Sequence, residues 1–89
     1  MVISGIVDQN GGSIAGEGFE SRQIATGVYI VEFQEDLGQV AIPVATTFGS
    51  EWETYDKSIS IVDFTDRYMI CVTSNPNQRA SCGFSFLVN

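Results

Sequence analysis

The segment GSEWETYDK, residues 49–57, gathers acidic and aromatic side chains in one polar connection. Five of them are candidate ligand contacts: Glu51, Trp52, Glu53, Tyr55 and Asp56. A glycosidase needs two carboxylates about 5 to 9.5 Å apart across a sugar cleft, with the pKa of one raised by burial. A polar loop on a small domain favours neither condition. We therefore predict a protein that is not an enzyme.

The same side chains suit sugar binding. The rings of Trp52 and Tyr55 can stack on the apolar faces of a sugar, while neighbouring carboxylates accept hydrogen bonds from its hydroxyls. The alternative is that Trp52 plugs one end of the fold and the acids only solvate the loop. A binding site should expose the two rings, whereas a plug should bury them.

Composition narrows the chemistry and the partners. The chain has no histidine, which is the commonest neutral-pH general base and the commonest zinc ligand. Asp8 and Asn10 precede glycines as in a calcium loop, but no bidentate Glu follows at the required spacing, which favours a plain turn. We predict no cofactor and no metal. The net charge of −7 should repel nucleic acid and anionic membranes.

The two cysteines, Cys71 and Cys82, are too few for a disulfide framework and are not spaced like a zinc site. One interpretation is a pair of small, buried, apolar side chains. The other is a disulfide, because residues 72–81 resemble a hairpin connection that would place the two sulfur atoms on facing positions. The sequence leaves both interpretations open, and with them the compartment.

Length and hydropathy predict one soluble domain over residues 1–89. No apolar run approaches the 18 to 20 or so residues that cross a bilayer, and the first ten residues lack the features of a signal peptide. The localisation is otherwise undetermined. Hydrophobic residues make up 44% of the chain and charged residues 17%, which is more apolar surface than a thin core can hide. Self-association is one way to bury the excess.

Short strand-like segments recur along the chain, separated by turn residues, and predict an all-β antiparallel sandwich or barrel. Asn10-Gly11-Gly12 and Gly27 are the expected hairpin turns. The segment QEDLGQ, residues 34–39, is the one candidate helical turn. The seven expected strands are residues 2–7, 13–22, 27–33, 39–48, 58–64, 67–74 and 82–89.

The third of these strands is apolar on both faces. Tyr29, Val31 and Phe33 point one way and suit an ordinary core, while Val28 and Ile30 point the other way. Either a second sheet of the same chain covers Val28 and Ile30, leaving Tyr29 and Phe33 half-exposed, or three copies of the chain pack around an axis and cover them.

The strand over 39–48 contains Pro43, which cannot donate a ladder hydrogen bond and so predicts a sheet edge or a bulge. Val40, Ile42 and Val44 share one face, and the small residues Ala41, Pro43 and Ala45 share the other. A small, flat, apolar face suits the close approach of another chain. The candidate interface residues are thus Val28, Ile30, Ala41, Pro43 and Ala45.

A set of glycines and aromatics along the chain resembles a known domain type. The matching segments are Gly16-Glu17-Gly18-Phe19, Arg22, residues 27–33, Pro43-Val44-Ala45-Thr46 and Gly83-Phe84-Ser85-Phe86. They resemble the small β-sandwich domains at the ends of bacteriophage tail and neck fibres and of bacterial collagen-like surface proteins. The resemblance implies a jelly-roll-like trimer associated with a virion or surface assembly. It also implies either a receptor- or glycan-binding head or, alternatively, a structural trimerisation cap without a ligand.

Overall fold

The computed structural model describes residues 2–38 and 41–89. Within them the chain forms eight strands and one short helix. In chain order these are β1 (Ile3–Val7), β2 (Ser13–Gly16), β3 (Phe19–Ala25), β4 (Val28–Phe33), β5 (Pro43–Thr47), α1 (Glu51–Thr54), β6 (Ser58–Phe64), β7 (Tyr68–Ser74) and β8 (Phe84–Val88).

Two four-stranded antiparallel sheets pack as a sandwich, which confirms the predicted fold class. The front sheet has the strand order β2-β1-β8-β5, and the back sheet has the order β3-β4-β7-β6. Among the described residues the single helix has four residues, far fewer than the 20 or so that span a bilayer.

The described residues form eight strands instead of about seven because the segment predicted as one strand over 13–22 is two. Gly16 and Gly18 have φ angles of 99° and 89°, which side chains with a Cβ rarely adopt. These two glycines break the extended backbone, so β2 ends in the front sheet and β3 begins in the back sheet.

Both predicted hairpin turns are confirmed. β1 pairs with β2 around Gly11, and β3 pairs with β4 around Gly27, each glycine having a positive φ. The Asp8 carboxylate accepts hydrogen bonds from the backbone N–H groups of Asn10 and Gly12 at 2.8 and 3.0 Å. Asp8 therefore stabilises the first turn in the manner of an Asx turn.

The core lies between the sheets and is built by alternation along the strands. Tyr29, Val31 and Phe33 of β4 are buried, as the pattern of an ordinary core face predicts. The interpretation in which Tyr29 and Phe33 are half-exposed and the second sheet covers Val28 and Ile30 is wrong. The other buried hydrophobic residues are Ile3, Val7, Phe19, Met69, Cys71, Cys82, Phe84, Phe86 and Val88.

β5 is an edge strand of the front sheet, which confirms the prediction made from Pro43. The expectation that its small residues face outward is wrong, because Ala41 and Ala45 pack against the core. Ala45 lies opposite Phe86 of β8, and a small side chain beside a large one fills an interior layer without overpacking. The first two residues of the strand predicted over 39–48 lie outside the described residues.

The helical turn occurs in a different place from the one predicted. Residues 34–38 form bends and irregular backbone, and Gln39 lies outside the described residues. The helix is α1, in the connection between β5 and β6. It carries Glu51, Trp52 and Glu53, and the other two candidate ligand contacts, Tyr55 and Asp56, follow it directly.

Candidate functional site

Local hydrogen bonds specify the turn that presents the aromatic residues. The Ser50 hydroxyl accepts a hydrogen bond from the backbone N–H of Glu53 at 3.3 Å, and the Glu53 carboxylate accepts one from the backbone N–H of Ser50 at 3.0 Å. This reciprocal pair is a capping box. It fixes the start of α1, although a helix of four residues would not be stable alone in water.

Trp52 and Tyr55 project from this turn into solvent. Their exposed fractions are 82% and 72%, so Trp52 does not plug the sandwich. The spacing of three residues places them on the same side of the helical turn. Their ring centroids are 6.4 Å apart, with the planes at 77° to each other. The two rings therefore form a corner that is open to solvent.

The three candidate carboxylates differ in their availability. Glu53 is committed to the capping box, and these hydrogen bonds from Ser50 lower the pKa of its carboxyl group. Asp56 pairs with Lys57, with 2.7 Å between the carboxylate oxygen and Nζ, and this hydrogen bond raises the pKa of Lys57. The carboxylate of Glu51 is exposed and has no side-chain partner among the described residues. Glu51 is thus the acid best placed to meet a ligand.

A groove of about 270 Å³ adjoins the turn at the same end of the sandwich. Glu53, next in sequence to Trp52, contributes to its wall, and the half-exposed ring of Phe48 provides an apolar surface. The other lining residues are Asp8, Gln9, Asn10, Ile14, Gly49 and Gly83. This groove is not predictable from the sequence, because its wall combines the β1–β2 turn with a segment some forty residues away. No local pattern encodes that proximity.

The interface candidates fall into two sets. Val28 and Ile30 lie on the outer face of the back sheet, where they are partly exposed. Ala41 and Ala45 pack inward, as described above, and Pro43 lies on the same side of β5 as Ala45. Only the first set offers apolar side chains to a partner.

The two cysteines are both buried and carry free thiols, which favours the interpretation as small apolar side chains over a disulfide. Burial raises the pKa of the Cys71 thiol to about 12. Burial is also the largest cause of the raised pKa of Cys82. Neither thiol is suited to act as a nucleophile near neutral pH, since the thiolate is the reactive form.

The acidic side chains do not converge as they would around a cation. Within residues 2–38 and 41–89, no group of three or more cysteine, aspartate or glutamate side chains is arranged to hold a metal ion.

Comparisons with known proteins found no family model, no curated protein and no solved structure that matches this chain.

Proposed function

We propose that this domain is a non-enzymatic recognition module that binds a neutral glycan at the Trp52–Tyr55 corner and the adjoining groove. The observation that carries the proposal is the exposure of both rings, 82% and 72%, on a turn fixed by a capping box. An exposed aromatic pair is costly to leave in water, and stacking against sugar C–H groups would remove apolar surface from water on both partners.

The proposed site has two parts, the Trp52–Tyr55 corner and the adjoining groove. One ring of the corner offers a face on which a pyranose can stack, and the perpendicular ring limits how far the sugar can slide. The groove offers the Phe48 ring together with the amides of Gln9 and Asn10, which can both donate to and accept from sugar hydroxyls. A disaccharide or longer chain could occupy both parts at once.

Charge restricts the class of glycan. Glu51 and Asp56 flank the rings, Asp8 and Glu53 line the groove, and the chain as a whole carries −7. Sialylated or sulfated glycans would bring further negative charge to this end and be repelled. Neutral hexose or N-acetylhexosamine units carry no such penalty.

The resemblance to fibre-end domains supports a head that recognises a receptor and is displayed in several copies. Single-site sugar affinity is low, and display of several heads on one assembly would raise the overall avidity. A virion context belongs to this proposal, and the trimer that the resemblance implies is one assembly that would display the head in several copies. A structural cap without a ligand is less well supported, because it gives no reason for two large exposed rings on a specified turn.

A glycan array probed with the labelled chain tests the proposal. We expect binding to neutral glycans that is lost in Trp52→Ala and strongly reduced in Tyr55→Ala. Val44→Ala is a matched control, because it removes an exposed apolar side chain from the outer face of the front sheet, away from the proposed site. No binding by the parent chain, or equal binding by the parent and Trp52→Ala, would contradict glycan recognition at this site.

A further inference from the structure

The outer face of the back sheet is apolar at its centre. On its two inner strands, Ile30 of β4 lies opposite Ile70 of β7, and Val28 lies opposite Val72. All four side chains are partly exposed. The outward residues of a sandwich are normally polar, and the outer face of the front sheet does alternate on its inner strands, with Ser4 and Ser85 beside Ile6 and Leu87. These four residues form the aliphatic block of the back sheet. A partner that packs on this block would remove its apolar surface from water.

Opposite charges stand at the two edges of this block. The register places four residues in one row across the sheet, namely Arg22, Ile30, Ile70 and Asp63. At about 4.8 Å between strands, the cation and the anion are about 14 Å apart along the row. The next row toward the β3–β4 turn places Ala25 and Ser60 at its ends, so charge does not interrupt the aliphatic block there.

This row is complementary to itself under one two-fold operation. If two copies face each other about an axis parallel to the strands, β3 of one copy lies over β6 of the other. Arg22 of each copy then faces Asp63 of its partner, twice, and Ile30 faces Ile70. The same rotation sets Glu32 against Tyr68, which neighbour each other in the adjacent row. An axis perpendicular to the strands would instead oppose Arg22 to Arg22 and Asp63 to Asp63.

We infer that the outer face of the back sheet is a self-association surface whose occupant is a second copy of this chain, related by a two-fold axis parallel to the strands. Arg22 already pairs with Glu32 of its own chain, and its guanidinium has further donors for a partner's carboxylate. Facing sheets stand about 10 Å apart, a gap that an arginine and an aspartate side chain can bridge together. The inference does not depend on glycan binding.

The interface is small and its charged pairs lie at the edges of the sheet, so we expect weak association. It comprises one face of a four-stranded sheet, below the roughly 800 Å² per partner of a standard interface. We therefore expect a reversible dimer with a dissociation constant in the micromolar range, which a micromolar concentration series will detect. The two-fold pair differs from the trimer that the resemblance implies, so the stoichiometry distinguishes them.

Sedimentation velocity of the full chain over a micromolar concentration series tests the inference. The parent should shift from monomer to dimer as concentration rises. Arg22→Glu places an acid opposite each partner's Asp63, and Asp63→Lys places a base opposite each partner's Arg22. Each variant alone should associate about a hundredfold more weakly, because opposed like charges are strongly unfavourable. An equimolar mixture of the two should dimerise again, since both cross-chain pairs are then attractive.

Two further variants separate this surface from alternatives. Ile30→Glu puts a charge in the centre of the block and should abolish the dimer. Val44→Glu adds the same charge to the outer face of the front sheet and should leave the dimer intact. Thermal melting checks that each variant is folded, which we expect because Arg22 and Asp63 are exposed. A parent that stays monomeric, a trimer, or a mixture that fails to recover dimer would each overturn the inference.

Discussion

The hydroxyl of Tyr29 joins both sheets through Cys82. It accepts a hydrogen bond from the backbone N–H of Cys82 at 3.2 Å and donates one to the backbone carbonyl of Gln9 at 2.6 Å. Tyr29 belongs to the back sheet, whereas Cys82 and Gln9 belong to segments that flank strands of the front sheet. The ring is fully buried and packs edge-on against Phe84, with centroids 5.4 Å apart. One side chain therefore satisfies two backbone groups and fills the core beneath them.

Tyr29→Phe should destabilise the fold by about 1 to 3 kcal/mol. The substitution keeps the ring but leaves the buried N–H of Cys82 without this partner, and an unsatisfied buried polar group carries its full desolvation cost. Gln9 is exposed, so its carbonyl can bind water instead. Urea unfolding monitored by fluorescence measures the change. Tyr68→Phe is the control, because its hydroxyl bonds Asp63 at 3.1 Å in an exposed position and its loss should cost less than about 1 kcal/mol. Equal losses in the two variants would contradict the bridging role of Tyr29.

Gly5→Ala should also destabilise the sandwich, for a reason of space. A Cβ atom at Gly5 would lie 2.4 Å from the ring of Phe19, which packs edge-on against Phe86 with centroids 4.9 Å apart. Overpacking of this kind costs about 1 to 3 kcal/mol. Ser4→Ala, at the exposed neighbouring position, is the control and should change stability by less than about 0.5 kcal/mol. Thermal unfolding of both variants measures the difference. Equal unfolding midpoints for Gly5→Ala and Ser4→Ala would contradict the close packing of Phe19 against Gly5.

The buried thiol of Cys71 predicts a loss of stability at alkaline pH. Its pKa is raised from about 9 to about 12 in the folded chain, so folding retains a proton that the unfolded chain releases. The contribution of the protonated Cys71 thiol to the free energy of unfolding is fully present below pH 9. It is lost as the pH rises from 9 toward 12. The slope can reach about 1.4 kcal/mol per pH unit.

Urea unfolding between pH 8 and pH 11 tests this effect in the parent and in Cys71→Ala. The raised pKa values of Cys82, Tyr68 and Lys57 act in the same direction in both proteins, so the difference between the two slopes isolates Cys71. We expect the variant to lose stability less steeply above pH 9. Parallel slopes would show that the Cys71 thiol is not protected from ionisation by the fold.

Strand alternation predicts the inward face of a strand only when the two faces differ in the size or polarity of their side chains. In β4 the large residues Tyr29 and Phe33 leave little choice, and the inward face is confirmed. In β5 both faces are apolar, and period-two alternation alone cannot select one. The decision depends on β8, where Phe86 occupies the volume beside Ala45, a long-range relationship that the local pattern does not contain.

The candidate turn illustrates a local signal that the sequence analysis did not use. Ser50 followed three residues later by Glu53 is the signature of a capping box, and it marks the start of α1. The aromatic and acidic composition identified the segment as a site without identifying its conformation. The adjoining groove could not be predicted, because Phe48 and Asp8 meet only through the packing of β1, β5 and β8.

Trp52→Ala should change the free energy of unfolding by less than about 1 kcal/mol, because the ring is mostly in solvent and loses mainly its edge contact with Tyr55. Phe84→Ala, at a fully buried position, is the contrasting variant and should cost about 3 to 5 kcal/mol. Urea unfolding of the two variants beside the parent makes the comparison. If Trp52→Ala cost as much as Phe84→Ala, the ring would be part of the core in solution. The proposed glycan site would then lose its principal contact, whereas a small cost leaves Trp52 available to a ligand.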